Sequence, residues 1–230
     1  MRVPRPTSVN QLSIFKRDQL APPRHVTGNE RRRVNPNRGV IKLTERYADI
    51  FFSRFVYPLF GHIWSPYCWI LDRRFRLVES KLSPPAWPQG LTPLRVLLIT
   101  DIHAGIFLKP QTLQRIIQSL MQTKPDLVAV AGDLVTGHVS EASAYRDALS
   151  PLTGAPLGAW FCFGNHDYFG GNPDDLRANL AAIGIKTLKN ESVLLPHAGK
   201  SFVLGGIDDR IMGTPNWDGV LAAHGSPHLL

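Results

Sequence analysis

Three short polar blocks combine carboxylate, imidazole and amide groups at spacings that suit metal chemistry: Asp101-Ile102-His103, Gly132-Asp133 and Gly164-Asn165-His166-Asp167. Each follows directly on a short apolar run, VLLIT at 96–100, LVAVA at 127–131 and AWFCF at 159–163. In Asp101-x-His103 the period of two along a strand puts both side chains on one side, with Ile102 turned into the core. A carboxylate and an imidazole held that way form a chelating pair. Asp133 has two oxygens with which to bridge two cations, and Asn165 offers a neutral amide oxygen. Gly132 and Gly164 let the main chain turn tightly and come close to a ligand without a Cβ in the way. Mixed oxygen and nitrogen donors suit Mn²⁺, Fe or Zn²⁺ and suit Ca²⁺ poorly, since that ion prefers an all-oxygen cage. Thiolates have no part in this, because Cys68 and Cys162 are the only cysteines and make neither a disulfide framework nor a four-thiolate zinc site.

The elements that must position these blocks follow from the apolar pattern. The three runs are short, continuous and apolar, which predicts strands buried on both faces of a mostly parallel sheet. Between the first two, Leu113, Ile116, Ile117, Leu120 and Met121 follow the spacing of one helix face, with Pro110 before them and Pro125 after. That is a βαβ unit. A second, less regular crossover runs through Ala142, Tyr145 and Leu149, and a third helix starts at Asn172-Pro173-Asp174-Asp175 and stops at Gly184. Strands follow at 185–188, 192–196 and 201–207, the last two joined by a turn at His197-Ala198-Gly199-Lys200, with a short helix at 217–223. Before the body, 76–82 reads as a strand and 83–90 as a proline-rich loop. In an open α/β sheet, ligands bind in the crevice outside the carboxyl ends of the strands, so the three polar blocks converge there. Taken singly, D-x-H or Gly-Asp is more often a cap or a turn. The ordered set of three, each at a strand end, is the informative feature.

With 230 residues and 43% hydrophobic side chains the chain can fill a core, which excludes wholesale disorder. Its net charge of +8 is unevenly placed: residues 1–46 hold 11 basic and 3 acidic side chains, and the remainder holds 15 of each. A neutral body argues against a nucleic-acid groove, while the basic arm can meet phosphates or anionic lipid. Residues 1–46 are rich in Pro, Arg and Asn without a packing face, and read as a disordered arm. Residues 47–75 are aromatic-rich, and the uncharged stretch 55–71 is broken by Pro58, Gly61 and Pro66. Two readings of that segment stand: a helix packed on the body, or a segment lying in a membrane interface between flanking arginines. It is not read as membrane-spanning. No secretory leader is visible, and the expected location is cytoplasmic, peripheral at the inner membrane face.

The blocks D-x-H, G-D and G-N-H-D in this order resemble those of the calcineurin-like metallophosphoesterases. The resemblance covers about 76–207, and the run LRVLLITDIHAG preceded by PPAWPQGL is most similar to the bacterial branch that includes membrane-associated phosphatases and lipid A precursor pyrophosphatases. It implies an α/β/β/α sandwich with mixed sheets over 76–230 and two divalent metal ions. Asp101 and His103 would hold the first ion, Asp133 would bridge, and Asn165 would hold the second. His166 would be the general acid or transition-state donor, with Asp167 orienting it. The implied reaction is hydrolysis of a phosphate mono- or diester, or of a nucleotide-linked pyrophosphate, by a hydroxide bridging the two metals.

The chain departs from the family pattern beyond Ile207, where the family's later histidine and its G-H-x-H block are not found. His197, His224 and His228 read as turn or loop residues, and Asp208 and Asp209 as a loop or cap pair. The sequence therefore reads as truncated at its C-terminus, with the second ion held by Asp133 and Asn165 alone. An alternative function follows: a catalytically incomplete remnant that binds phosphate or membrane.

Overall fold

The three apolar runs and a short strand within 185–188 form a parallel sheet, in the order β1-β2-β3-β4. The strands are β1 (Val96–Ile99), β2 (Leu127–Ala131), β3 (Ala159–Cys162) and β4 (Lys186–Thr187). Val96 lies opposite Leu127, Val128 opposite Ala159 and Trp160 opposite Lys186. The computed structural model describes residues 44, 47, 48, 51, 56, 77–83, 87–105, 108–168 and 171–224. Apart from those few positions, the expected arm and aromatic segment lie outside the described residues. Among the described residues, no helix is long and apolar enough to cross a membrane.

The crossovers follow their caps and breakers. Helix α1 (Pro110–Met121) opens on a proline at its first position, where no intrahelical N–H is needed, and buries Leu113 and Ile117. The second crossover is broken as expected: a 3₁₀ turn at Val139–Tyr145, one turn of helix α2 (Arg146–Leu149), and a 3₁₀ turn at Ser150–Gly154 that contains Pro151. Helix α3 (Pro173–Ala181) is capped by Asn172, whose side chain accepts from the Asp174 amide at 3.0 Å. It gives way before Gly184, which adopts the left-handed φ of 86° open to glycine. These elements cover one face of the sheet, burying Ile117, Leu152, Leu176 and Leu180 against Val128, Val130 and Phe161.

The other face meets a second sheet, the antiparallel hairpin of β5 (Glu191–His197) and β6 (Lys200–Gly206). Its two-residue turn places Ala198 and Gly199 at φ 47° and 76°, the left-handed pair whose twist matches a hairpin. Leu127 and Trp160 of the parallel sheet pack there with Leu195, Phe202 and Leu204 of the hairpin. Trp87, from the proline-rich loop, closes this layer with its ring 5.6 Å from that of Phe202. Helix α4 (Trp217–Ala222), capped by Asn216, adjoins β5, where the Ser192 hydroxyl donates to the Val220 carbonyl at 2.7 Å. The mixture of strand directions thus lies between the two sheets: one is parallel and the other antiparallel.

Two expectations fail. Residues 77–83 are exposed and form no strand, because they pair with no neighbour among the described residues. Strand β1 is not buried on both faces: Leu98 is 64% exposed and Val96 37%. The reason is position, since β1 is an edge strand of its sheet and the hairpin packs over β2 and β3.

This asymmetry sets the stability of individual positions. Phe202→Ala, which empties a fully buried site, is expected to cost about 3–5 kcal/mol. Leu98→Thr on the open face is expected to stay within about 0.5 kcal/mol. Urea unfolding followed by tryptophan fluorescence measures both, and equal losses would contradict the layer assignment.

Candidate metal centre

All three polar blocks emerge at the carboxyl edge of the parallel sheet, on loops that start within two residues of the strand ends. The loops pair with each other where the ladder has stopped. The Asp101 amide donates to the Gly132 carbonyl at 3.2 Å, and the His103 amide donates to the Asp133 carbonyl at 2.9 Å. Asp101 and His103 do lie together, with Oδ1 and Nε2 3.9 Å apart, and Ile102 between them is buried. The cause is not the strand period expected from sequence. Asp101, His103 and Asp133 all take left-handed conformations, with φ of 54°, 45° and 52°. A non-glycine residue there costs about 1–2 kcal/mol, and such strain persists where surrounding bonds over-determine the chain.

The glycines allow the second and third loops to touch. A Cβ on Gly132 would come 2.7 Å from the Gly164 Cα, and one on Gly164 would collide with the Asp133 carboxylate. Main chain thus packs directly on main chain at the centre of the site.

Asp167 occupies this junction. Its buried carboxylate accepts four main-chain amides: Asp133 and Gly164 at 2.9 Å on Oδ2, Leu134 at 2.9 Å and Val135 at 3.3 Å on Oδ1. Burial pushes its carboxyl up to about 6, with the Asp133 charge adding to the rise, while the amide donors pull it back. The four N–H donors select the carboxylate, the form that accepts all four bonds. It knits the two glycine loops together, and none of these four bonds goes to the His166 ring.

The partner on the His166 ring is the Thr136 carbonyl, 2.7 Å from Nδ1. A carbonyl only accepts, so Nδ1 carries the proton and Nε2 holds the lone pair of the neutral ring. The His166 amide donates to Asp133 Oδ1 at 2.9 Å, and the His166 and His103 rings meet edge to face with centroids 4.6 Å apart. His103, Asp133 and His166 each bring one donor atom within 4.8 Å of the other two. The set could hold a metal ion, which at ligand distances of about 2.0–2.2 Å would draw these groups closer together. Asp101 is at the exposed rim beside this group, its Oδ2 accepting from the Thr100 hydroxyl at 2.6 Å. Asn165 is half-buried on the same loop, and its carbonyl accepts from the Tyr168 amide at 3.3 Å.

Two further carboxylates shape the edge, and sequence reasoning missed the first. Glu141 Oε2 accepts from the amides of Thr136, Gly137 and His138 at 2.9, 3.0 and 3.3 Å. The signal was present as a capping box, His138-x-x-Glu141 at the start of a helical turn. Asp208 is 2% exposed, accepting from Tyr168 Oη and from the Asp209 and Thr214 amides, with Lys189 Nζ 3.8 Å away. Burial and this carboxylate raise the Tyr168 phenol above its ordinary range. Asp209 accepts from the Ile211 and Met212 amides, so Asp208 and Asp209 are the loop pair read from sequence.

Asp167→Ala would leave four amides without their acceptor and is expected to destabilise the fold by at least about 3 kcal/mol. Denaturant titration measures it, and a loss under about 1 kcal/mol would show that the loops hold without this carboxylate.

Comparison with known proteins matches the geometry. The model of the calcineurin-like phosphoesterase family matches residues 94–226, which takes in every polar block described above. The chain is 31% identical over 137 residues to the "Transmembrane protein with metallophosphoesterase domain" of Danio rerio, covering 58% of this chain and 31% of that protein. It is 31% identical over 143 residues to the phosphodiesterase YaeI of Escherichia coli (strain K12), covering 60% and 52%. It is 25% identical over 148 residues to the uncharacterized metallophosphoesterase YkuE of Bacillus subtilis (strain 168), covering 63% and 51%. The chain spans between about a third and a half of the length of these relatives. They share the family and do not single out the lipid A precursor branch. With its family model matched over more than half its length, the chain belongs to the calcineurin-like phosphoesterases.

Proposed function

We propose that this chain is a metal-dependent hydrolase of phosphate mono- or diesters, or of a nucleotide-linked pyrophosphate, with two divalent ions (Mn, Fe or Zn) at the carboxyl edge of its parallel sheet. The observation that carries this reading is the convergence of His103, Asp133 and His166 donor atoms, within 4.8 Å, from three separate strand ends. Divalent ions held there supply a water of lowered pKa and positive charge for the phosphate oxygens. The chain's own groups do the rest. Asp101 and His103 would hold one ion from one loop, Asp133 would serve both from the next, and Asn165 would add a neutral oxygen to the second. His166, with its Nδ1–H fixed on Thr136, presents Nε2 to the same space. When doubly protonated, the ring can pass the Nε2 proton to the leaving oxygen. Asp167 keeps the loops in register from beneath. The phosphodiesterase named among the relatives favours an ester substrate.

The ligand roles separate by mutation. Asp133→Asn is expected to abolish Mn²⁺ binding, while Asp101→Asn, changed at the exposed rim, weakens it. Calorimetric titration measures both, and equal losses would refute the bridging assignment. A parent chain that binds Mn²⁺ and phosphate but never turns over an ester would favour the alternative of a catalytically incomplete binding module.

His166→Ala is expected to keep the metal content and lower turnover by roughly 10²–10⁴-fold. The loss should be greater for alkyl than for aryl phosphates of low leaving-group pKa, since only poor leaving groups need a proton. Elemental analysis with kcat/KM over a leaving-group series checks this. Loss of metal would make His166 a ligand, a role its distance from His103 and Asp133 also permits.

The basic arm is proposed to touch anionic membrane from the cytoplasmic side. Its charge supports this, as does the transmembrane label carried by the Danio rerio relative. Deleting residues 1–40 is expected to weaken co-sedimentation with phosphatidylserine vesicles at low salt, and unchanged binding would remove the arm from consideration.

A further inference from the structure

The amides of Asp133 to His138 are six in succession, and two carboxylates take them all: Asp167 the first three, Glu141 the last three. The division falls next to the Thr136–Gly137 peptide. Its carbonyl oxygen, on Thr136, accepts the His166 Nδ1 proton at 2.7 Å, and its N–H, on Gly137, donates to Glu141 Oε2 at 3.0 Å. A trans peptide is a rigid plane whose C=O and N–H point in opposite directions. Fixing the N–H end therefore fixes where the oxygen points. An anionic acceptor on the N–H also draws electron density toward the carbonyl oxygen and makes it a stronger acceptor, because hydrogen bonds in series polarise one another.

We propose that Glu141 is a positioning residue for His166, acting through the Thr136–Gly137 peptide to hold the ring in its Nδ1–H tautomer. The arrangement is a carboxylate–histidine pair with one peptide group inserted between the partners. Glu141 is thus the negative charge behind the ring, the place the sequence expectation gave to Asp167. Further bonds keep the peptide from rocking: the Thr136 hydroxyl donates to the His103 carbonyl at 2.9 Å, and the Thr136 amide also reaches the Ala104 carbonyl at 3.1 Å. The inference rests on the reading of His166 as a group acting at the phosphate, but ring tautomer is measured without metal or substrate, so the two fail separately.

The test is the ¹⁵N spectrum of the His166 ring in the full chain, with amide exchange on the same samples. Wild type is expected to show a single Nδ1–H tautomer. Glu141→Ala should shift the ring nitrogens toward a tautomer mixture and speed exchange of the 136–138 amides about 10- to 100-fold, the worth of one hydrogen bond to a charged group. Glu141→Gln preserves the shape without the charge, and should keep the tautomer while moving the Nδ1 proton upfield. Wild-type ring shifts in Glu141→Ala would overturn the proposal and leave Glu141 as a helix cap. Should Glu141→Ala not fold, a Nδ1 proton resonance unchanged between wild type and Glu141→Gln would overturn it equally.

Discussion

A buried carboxylate surrounded by main-chain N–H groups holds this site together. Asp167 gives both oxygens to amides of the Gly132-Asp133 loop and of its own loop. Neither loop has a ladder or helix to satisfy those donors, and a buried amide without an acceptor is costly. Burying the carboxylate also costs free energy, which its raised pKa records. The two costs offset each other only when carboxylate and amides meet. The close approach of Gly132 to Gly164 is what brings them into range, so a side chain at Gly132 would act on the site through the main chain, and one at Gly164 would strike the Asp133 carboxylate itself.

A second, outer clasp extends the same logic across the layers. Asp208 follows directly on the hairpin, and its carboxylate takes the phenol of Tyr168, the residue after Asp167. Lys189, just beyond β4, lies 5.2 Å from the centre of the Tyr168 ring and 5.8 Å from that of Phe163. The hairpin sheet is thereby tied to the turn that carries Asn165 and His166. Gly213 leaves room for it, since a Cβ there would meet the Asp208 carboxylate at 2.5 Å.

What could be read from the sequence and what could not divide along a physical line. Helix α1, the Asn172 cap, the Ala198-Gly199 turn and the edge at which the polar blocks meet are written in local pattern and order, and they were legible. The left-handed backbone at Asp101 and His103 was not, because it arises from pairing with a loop some thirty residues away. The exposure of Leu98 depends on which strand lies outermost, and no apolar run records that. The partner of His166 was missed for a related reason: a main-chain carbonyl leaves no mark in the choice of residue. Asp167 was singled out as important from its tetrapeptide, but a carboxylate's partners are set by what the fold brings near it.

The left-handed residues also set stability against function. At φ near 50°, Asp101, His103 and Asp133 occupy backbone that glycine adopts without strain. Replacement of Asp101 or His103 by glycine would relax its loop while deleting a residue proposed to hold metal. A laboratory evolution scheme that rewards heat resistance alone would favour such changes, and the protein it returned would be sturdier and without its candidate metal centre.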